Sequence, residues 1–260
     1  VAKESADVIL MDDNFTTIVT LAKWGRGIYL NIQKFVQFQL PINIVSLMIS
    51  FVSICILGSS PFTVVQLLWV NMIMDILGAL ALATEPPNDG LMNRFPVGRG
   101  ASFITGTMWK NIIAQSIYQL AVFAILKFGG KKFLKLNGSN VNPILNTLIF
   151  NSFVFSQVFN AINSRAIENI NVFHGLVNSW VFIVTMVSII TSQVIMVEFL
   201  GTFASTVPLS AKLWLVSILI GSGSMIVAVA LKCISIELLK NADTVQYNDP
   251  HDGYDPLPCG

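Results

Sequence analysis

Apolar and polar stretches alternate along this chain on a long wavelength. Six runs of mostly apolar residues cover about residues 35–57, 62–84, 108–128, 144–162, 177–200 and 213–234. A helix needs roughly 20 apolar residues to cross the hydrocarbon of a bilayer. Inside lipid every backbone polar group must be paired within its own segment, so such runs must be helical. The pattern predicts an all-α polytopic membrane protein with six transmembrane helices. The first two runs are joined only by Gly58-Ser59-Ser60-Pro61, a tight turn between antiparallel helices. Residues 85–107 are polar, with Pro86-Pro87 and Gly98-Arg99-Gly100, and read as a surface loop. Residues 129–143 and 163–176 read as further loops.

The ends of the chain differ from its middle. Residues 1–34 carry Lys3, Glu4, Asp7, Asp12, Asp13, Lys23 and Arg26 and belong in water. Val8-Ile9-Leu10-Met11 is short and apolar enough for a buried strand. Asp12-Asp13-Asn14 then supplies a turn and a helix cap. Ile18, Leu21, Ala22, Ile28 and Ile32 follow near helical spacing, which predicts a stalk helix starting near Phe15 and running into the first span. After Ile234 the chain turns polar and holds Pro250, Pro256 and Pro258, the composition of a disordered tail. Three regions result: a stalk over 1–34, a six-helix membrane domain over 35–234 and a tail over 235–260. The first residue is Val1, and no charged leader with a cleavage site follows it. The chain therefore reads as a piece of a longer protein.

Composition agrees with the pattern. Only 11% of residues are charged and 54% are hydrophobic, with a mean hydropathy of +0.71, where a soluble domain carries roughly 25% charged residues. The net charge of +1 gives no sign of a nucleic-acid partner. Cys55, Cys233 and Cys259 have neither metal spacing nor a disulfide framework and read as buried neutral thiols. With both ends in the cytosol, Lys23, Arg26, Lys34, Arg94, Arg99, Lys110, Arg165, Lys232 and Lys240 lie inside. Lys127, Lys131, Lys132, Lys135 and Lys212 lie outside, the smaller set, as the positive-inside rule requires.

An ionisable side chain in hydrocarbon is costly, which makes it a functional candidate. Asp75 lies near the middle of the second span, with Asn71 four residues earlier on the same face. Asn43 lies in the first span with Ser46 a turn on, and Gln157 and Asn160 lie in the fourth. Across a four-residue turn, Asn43, Asn71 and Asp75 can converge at one depth. One carboxylate and two amide oxygens suit a hard cation such as calcium, and manganese shares much of that chemistry. Asp75 can equally carry a proton. The plainer alternative is that the amides bridge helices by hydrogen bonds, and that reading is favoured for Gln157 and Asn160. Glu198 reads as structural, Glu85 as facing cytosolic water, and His174 has no evident role. The chain lacks the G-x-x-x-x-G-K-[ST] phosphate loop, the H-E-x-x-H zinc motif and the G-x-S-x-G elbow.

Three segments carry a resemblance. VAKESADVILMDDNFTTIVTLAKWGRGIYLNIQKFVQF, residues 1–38, is similar to the end of the phosphorylation domain and the start of the fifth membrane helix of P-type ATPases. QLLWVNMIMDILGALALATEPP, residues 66–87, resembles their sixth membrane helix, and LNTLIFNSFVFSQVFNAINSR, residues 145–165, their eighth. The similarity covers about residues 1–234. It is closest to calcium pumps regulated by calmodulin, of the plant autoinhibited type. It implies that the six spans are helices five to ten of a ten-helix pump.

The resemblance also implies roles. Asn43, Asn71 and Asp75 match the family's calcium ligands on helices five and six. Met74, Ser46 and Gln157 stand where two-calcium pumps carry further ligands, which implies one calcium per cycle. Pro41 stands where a residue such as Thr is expected, and proline can kink a helix, which bears on the aim of Asn43. Ala161 stands where Glu is expected. The parent pump would use ATP and magnesium, form an aspartyl-phosphate and export calcium, with protons moving in exchange. The phosphorylation motif, the nucleotide-binding and actuator domains and the calmodulin-binding segment belong to a missing N-terminal half. The acidic tail offers no calmodulin site of its own. By itself the chain is not expected to hydrolyse ATP. The competing reading is a truncated, catalytically inactive membrane protein that associates with a full-length pump; a passive channel or secondary transporter fits the motifs less well. Plasma membrane, endoplasmic reticulum and vacuolar membrane are all compatible locations.

Overall fold

Helix signals along the chain set the elements. The computed structural model describes residues 9, 14–58, 60–87, 89–93, 102–134, 141–165, 167 and 179–247. The expected strand at Val8–Met11, the turn at Asp12-Asp13 and His174 lie outside the described residues or, for Ile9, among them only as a single position. Asn14 caps the first helix, accepting from the Thr16 amide at 3.1 Å. Helix α1 then runs unbroken over Phe15–Leu57, through Pro41. Its 43 residues span about 65 Å at 1.5 Å per residue. That is about twice the hydrocarbon thickness, so the expected stalk and first span are one continuous helix. Gly58 ends it at φ 67°, donating to the Ile54 carbonyl, a left-handed cap that glycine takes without strain.

Helix α2 (Val64–Ala83) opens with a capping box: Thr63 Oγ1 accepts from the Gln66 amide and Gln66 Oε1 accepts from the Thr63 amide. A 3₁₀ turn follows at Asp89–Asn93. Then come α3 (Gly106–Phe133), α4 (Val141–Ser164), α5 (Trp180–Glu198), the short α6 (Gly201–Ala204) and α7 (Ala211–Tyr247). Six of these helices are long and apolar enough to cross a membrane, and no strand occurs among the described residues. The protein is a multi-pass, all-helical membrane protein.

Helix ends depart from the apolar runs in ways that polarity explains. α3 continues past Phe128 to Phe133, with Lys131 and Lys132 in its last turn, where cations meet the negative end of the helix dipole. α4 begins at Val141 and holds Pro143 in its first turn, the position at which a missing amide hydrogen costs nothing. α7 continues to Tyr247, past the end of the apolar run at Ile234. Residues 248–260 lie outside the described part.

The helix α4 is the centre of the bundle. Of its apolar window 83% is buried, against 28–39% in the other five spans. Several of its polar side chains pair with neighbouring helices. Asn151 Oδ1 accepts from Gln193 on α5 at 3.1 Å, and Asn163 Oδ1 accepts from Lys232 on α7 at 2.8 Å. Small residues let α7 come close: Ser152 and Ser217 hydroxyls lie 3.4 Å apart, and a Cβ on Gly221 would fall 2.9 Å from the Phe155 carbonyl carbon. Close helix approach over small residues is how membrane helices gain dispersion energy. Gly221→Val is expected to destabilise by about 1–3 kcal/mol through overpacking, seen as a lower melting temperature in detergent. Gly25→Ala, with nothing within 4 Å of the new Cβ, is expected to leave the melting temperature unchanged or raise it.

Two expectations fail on the outer surface. Cys55 and Cys233 are exposed on the helix exteriors rather than buried. In a membrane helix the lipid face is as apolar as the core, so an apolar neighbourhood in sequence does not place a residue inside. Cys259 lies outside the described residues.

Candidate functional site

The antiparallel packing of α1 and α2 has a legible register. The amide nitrogen of Asn31 donates to the carbonyls of Ala83 at 3.2 Å and Glu85 at 2.8 Å. Farther along, Phe38 lies against Gly78, where an added Cβ would fall 2.5 Å from the Phe38 ring. Next to it, the Gln39 amide nitrogen donates to the Asp75 carboxylate. In an antiparallel pair, one turn forward on α1 meets one turn back on α2, which sets Asn43 at the level of Asn71.

Along this seam Asp75 and Asn71 are half-buried, and Asn71 Oδ1 is buried without a hydrogen-bond partner. Gln39 Oε1 is buried and unpartnered as well. Three side chains thus bring a carboxylate and two unsatisfied amide oxygens to one interhelical seam. Asn43 shares the level of Asn71, but its side chain is exposed on the outer face of α1. Ser46 is buried and donates back to the Asn43 carbonyl at 3.1 Å. Met74 is 1% exposed and points into the hydrophobic core.

The fourth-span residues take a different part. Gln157 donates to Gln119 Oε1 on α3 at 2.7 Å, and Asn160 reaches the Phe38 carbonyl at 3.4 Å. Both hydrogen bonds bridge α4 to a neighbouring helix. Pro41 leaves α1 unbroken. It has no amide hydrogen for the Gln37 carbonyl, and the Gln37 side chain, 2% exposed, has neither amide atom paired. No group of three His, Cys, Asp or Glu side chains able to hold a metal occurs among the described residues.

Glu85 requires a correction. It does not stand in open water but forms the centre of a clasp at one end of the bundle. Lys34 Nζ lies 2.6 Å from Glu85 Oε2 and Arg165 Nε 2.7 Å from Oε1, with the carboxylate side chain 16% exposed. Arg165 also donates to Ser179 Oγ at 2.8 Å and stacks over the Phe182 ring. One carboxylate thereby ties α1, the end of α2, the end of α4 and the start of α5. Glu198 is structural as expected, accepting from the Trp214 indole at 2.9 Å.

Sequence reasoning passed over Gln39. Its signal was present: it is a polar amide inside an apolar span, about one turn before Asn43.

A family described as cation transporting ATPase, C-terminus, matches residues 59–234. The chain belongs to this family. Among relatives of the cation-transporting ATPases, calcium-transporting ATPase 4, plasma membrane-type, from Arabidopsis thaliana is 65% identical over 260 residues, covering 100% of this chain and 24% of the relative. Calcium-transporting ATPase 1, plasma membrane-type, from Oryza sativa subsp. japonica is 59% identical over 260 residues, with the same coverage of 100% and 24%. The chain spans about a quarter of the length of the curated relatives it matches. The family match takes in Asn71, Asp75, Glu85 and Arg165; α1 with Gln39 and Asn43 is covered by the relatives.

Proposed function

We propose that this chain is the C-terminal membrane portion of an ATP-driven pump that exports calcium from the cytosol. On this reading α1 and α2 form part of the calcium path. Asp75 is the charged ligand and Asn71 supplies an amide oxygen; Asn43, exposed on α1 here, would have to turn toward the seam to join them. The observation that carries the reading is Asp75 itself: an ionisable group midway along a 20-residue apolar helix, turned to the seam with α1 and set beside an unsatisfied amide oxygen. The names of the relatives supply the ion. Calcium accepts six to eight oxygen ligands in flexible geometry, which a carboxylate and carboxamides can begin to provide. Gln157 is engaged with Gln119 and Ser46 with its own helix, which supports a single calcium site over two.

The rest of the pump, about three quarters of the relatives' length, would supply ATP and magnesium binding, the phosphorylated Asp and the segment that binds calmodulin. Both ends of the chain then face the cytosol, and the relatives' names favour the plasma membrane over the endoplasmic reticulum or vacuole. The test is a chimera in which this chain replaces the last quarter of the 65% identical relative. Membrane vesicles carrying it are expected to accumulate calcium only with ATP and magnesium. Uptake that ignores ATP, or uptake of another cation in place of calcium, would contradict the proposal.

A further inference from the structure

The seam between α1 and α2 holds one group to which no role has been given. Gln39 donates its amide nitrogen to Asp75, while its own Oε1 is buried and unpartnered, as is Asn71 Oδ1. An ionised carboxylate only accepts hydrogen bonds. The charge on Asp75 therefore fixes which way the Gln39 amide faces: nitrogen toward the carboxylate, oxygen away. The same charge is what a cation would neutralise. A cation seated on Asp75 withdraws the lone pairs that hold the amide and repels the amide hydrogens. The last torsion of a glutamine side chain is broad and nearly two-fold, so the amide can reverse without moving α1.

We propose that Gln39 is a further oxygen ligand of the transported divalent cation, exchanging its donor contact with Asp75 for ligation through Oε1 as the cation arrives. This rests on the reading of Asp75 and Asn71 as cation ligands, and it adds a third side-chain oxygen on the seam. Hard divalent cations need many oxygens, and Asn43 faces outward here, so the inner face of α1 lacks any other side-chain oxygen shown to reach Asp75.

The test uses the full-length chimera and the calcium dependence of its ATP hydrolysis, compared at equal amounts of monodisperse protein. Gln39→Leu removes both the donor and the oxygen and is expected to raise the half-activating calcium concentration by about 10–100-fold. Gln39→Glu keeps an oxygen and discards the donor, and is expected to stay within about threefold of the parent because a carboxylate is itself a calcium ligand. If Gln39 serves only to hold Asp75, Glu sets two carboxylates face to face and does at least as much damage as Leu; that result overturns the proposal. Unchanged calcium dependence in the Leu variant overturns it too. Should the Leu variant fail to accumulate, Gln39→Met keeps the length without a hard oxygen and is read the same way. Asp75→Asn in parallel separates the two levels. If calcium activation survives it, the site reading itself falls; if Asp75→Asn abolishes activation and Gln39→Leu does not, only the role of Gln39 falls.

Discussion

Asp75→Asn in the full-length chimera is expected to abolish calcium-activated ATP hydrolysis at micromolar calcium while the protein accumulates at parental levels. The substitution keeps the volume of the side chain and one oxygen, and removes the charge. Two unit charges 4 Å apart attract by about 4 kcal/mol at an effective dielectric near 20. A divalent ion at ligand distance is held more strongly, and lost hydration offsets part of this. A drop in calcium affinity of at least about 100-fold follows, since 1.4 kcal/mol is a factor of ten. Folding is spared because an amide opposite the Gln39 amide can still form a hydrogen bond, and Asp75 is only half-buried in this chain. Calcium titration of ATP hydrolysis, with protein level read by size-exclusion chromatography, checks both halves.

The second large effect is on stability and lies at Glu85. Removing one partner of a buried ion pair costs about 3–5 kcal/mol, because the other charge stays behind uncompensated. Glu85 serves two cations at once, Lys34 at 2.6 Å and Arg165 at 2.7 Å, whose side chains are 11% and 6% exposed. Glu85→Ala is therefore expected to destabilise by about 3 kcal/mol, with a clear loss of melting temperature in detergent. Glu85→Gln keeps a hydrogen-bond acceptor and falls between the two. In the double variant Lys34→Gln with Glu85→Gln the costs are not additive, and about 0.5–3 kcal/mol is recovered. Additive losses would show that Lys34 and Glu85 do not interact. Since the clasp joins α1 to the end of α2, it also holds the register that sets Gln39 opposite Asp75.

The architecture was largely written in the chain. Each apolar run became a helix because lipid leaves no other option for the backbone, and Asn14 and Gly58 marked ends that the first helix respects. Ends without such marks drifted: the polar Gly129-Gly130-Lys131-Lys132 segment stays helical through Phe133. What apolar runs conceal is which face meets protein. Cys55 and Cys233 point outward although their neighbours in sequence are apolar, since lipid and core select the same side chains. α4 shows the converse. Its Asn151, Ser152, Ser156, Gln157 and Asn160, all no more than 2% exposed, announce burial because lipid would not tolerate them.

The site was legible in proportion to its cost. A carboxylate in hydrocarbon singles itself out, so Asp75 and Asn71 emerged from sequence. Gln39 did not, because an uncharged amide in a span usually means a helix bridge; only the register of α1 on α2 shows it opposite Asp75. Glu85 was misplaced because Pro86-Pro87 beside it looks like a loop, and its partners Lys34 and Arg165 are 51 and 80 residues away in sequence.

The central claim is that the α1–α2 seam binds the transported cation. The most direct measurement is a density map of the chimera prepared with and without calcium. A cation peak about 2.3–2.6 Å from the Asp75 carboxylate, shared with Asn71 Oδ1 and present only with calcium, is the predicted result. A calcium peak elsewhere, with Gln39 still donating to Asp75, would contradict it.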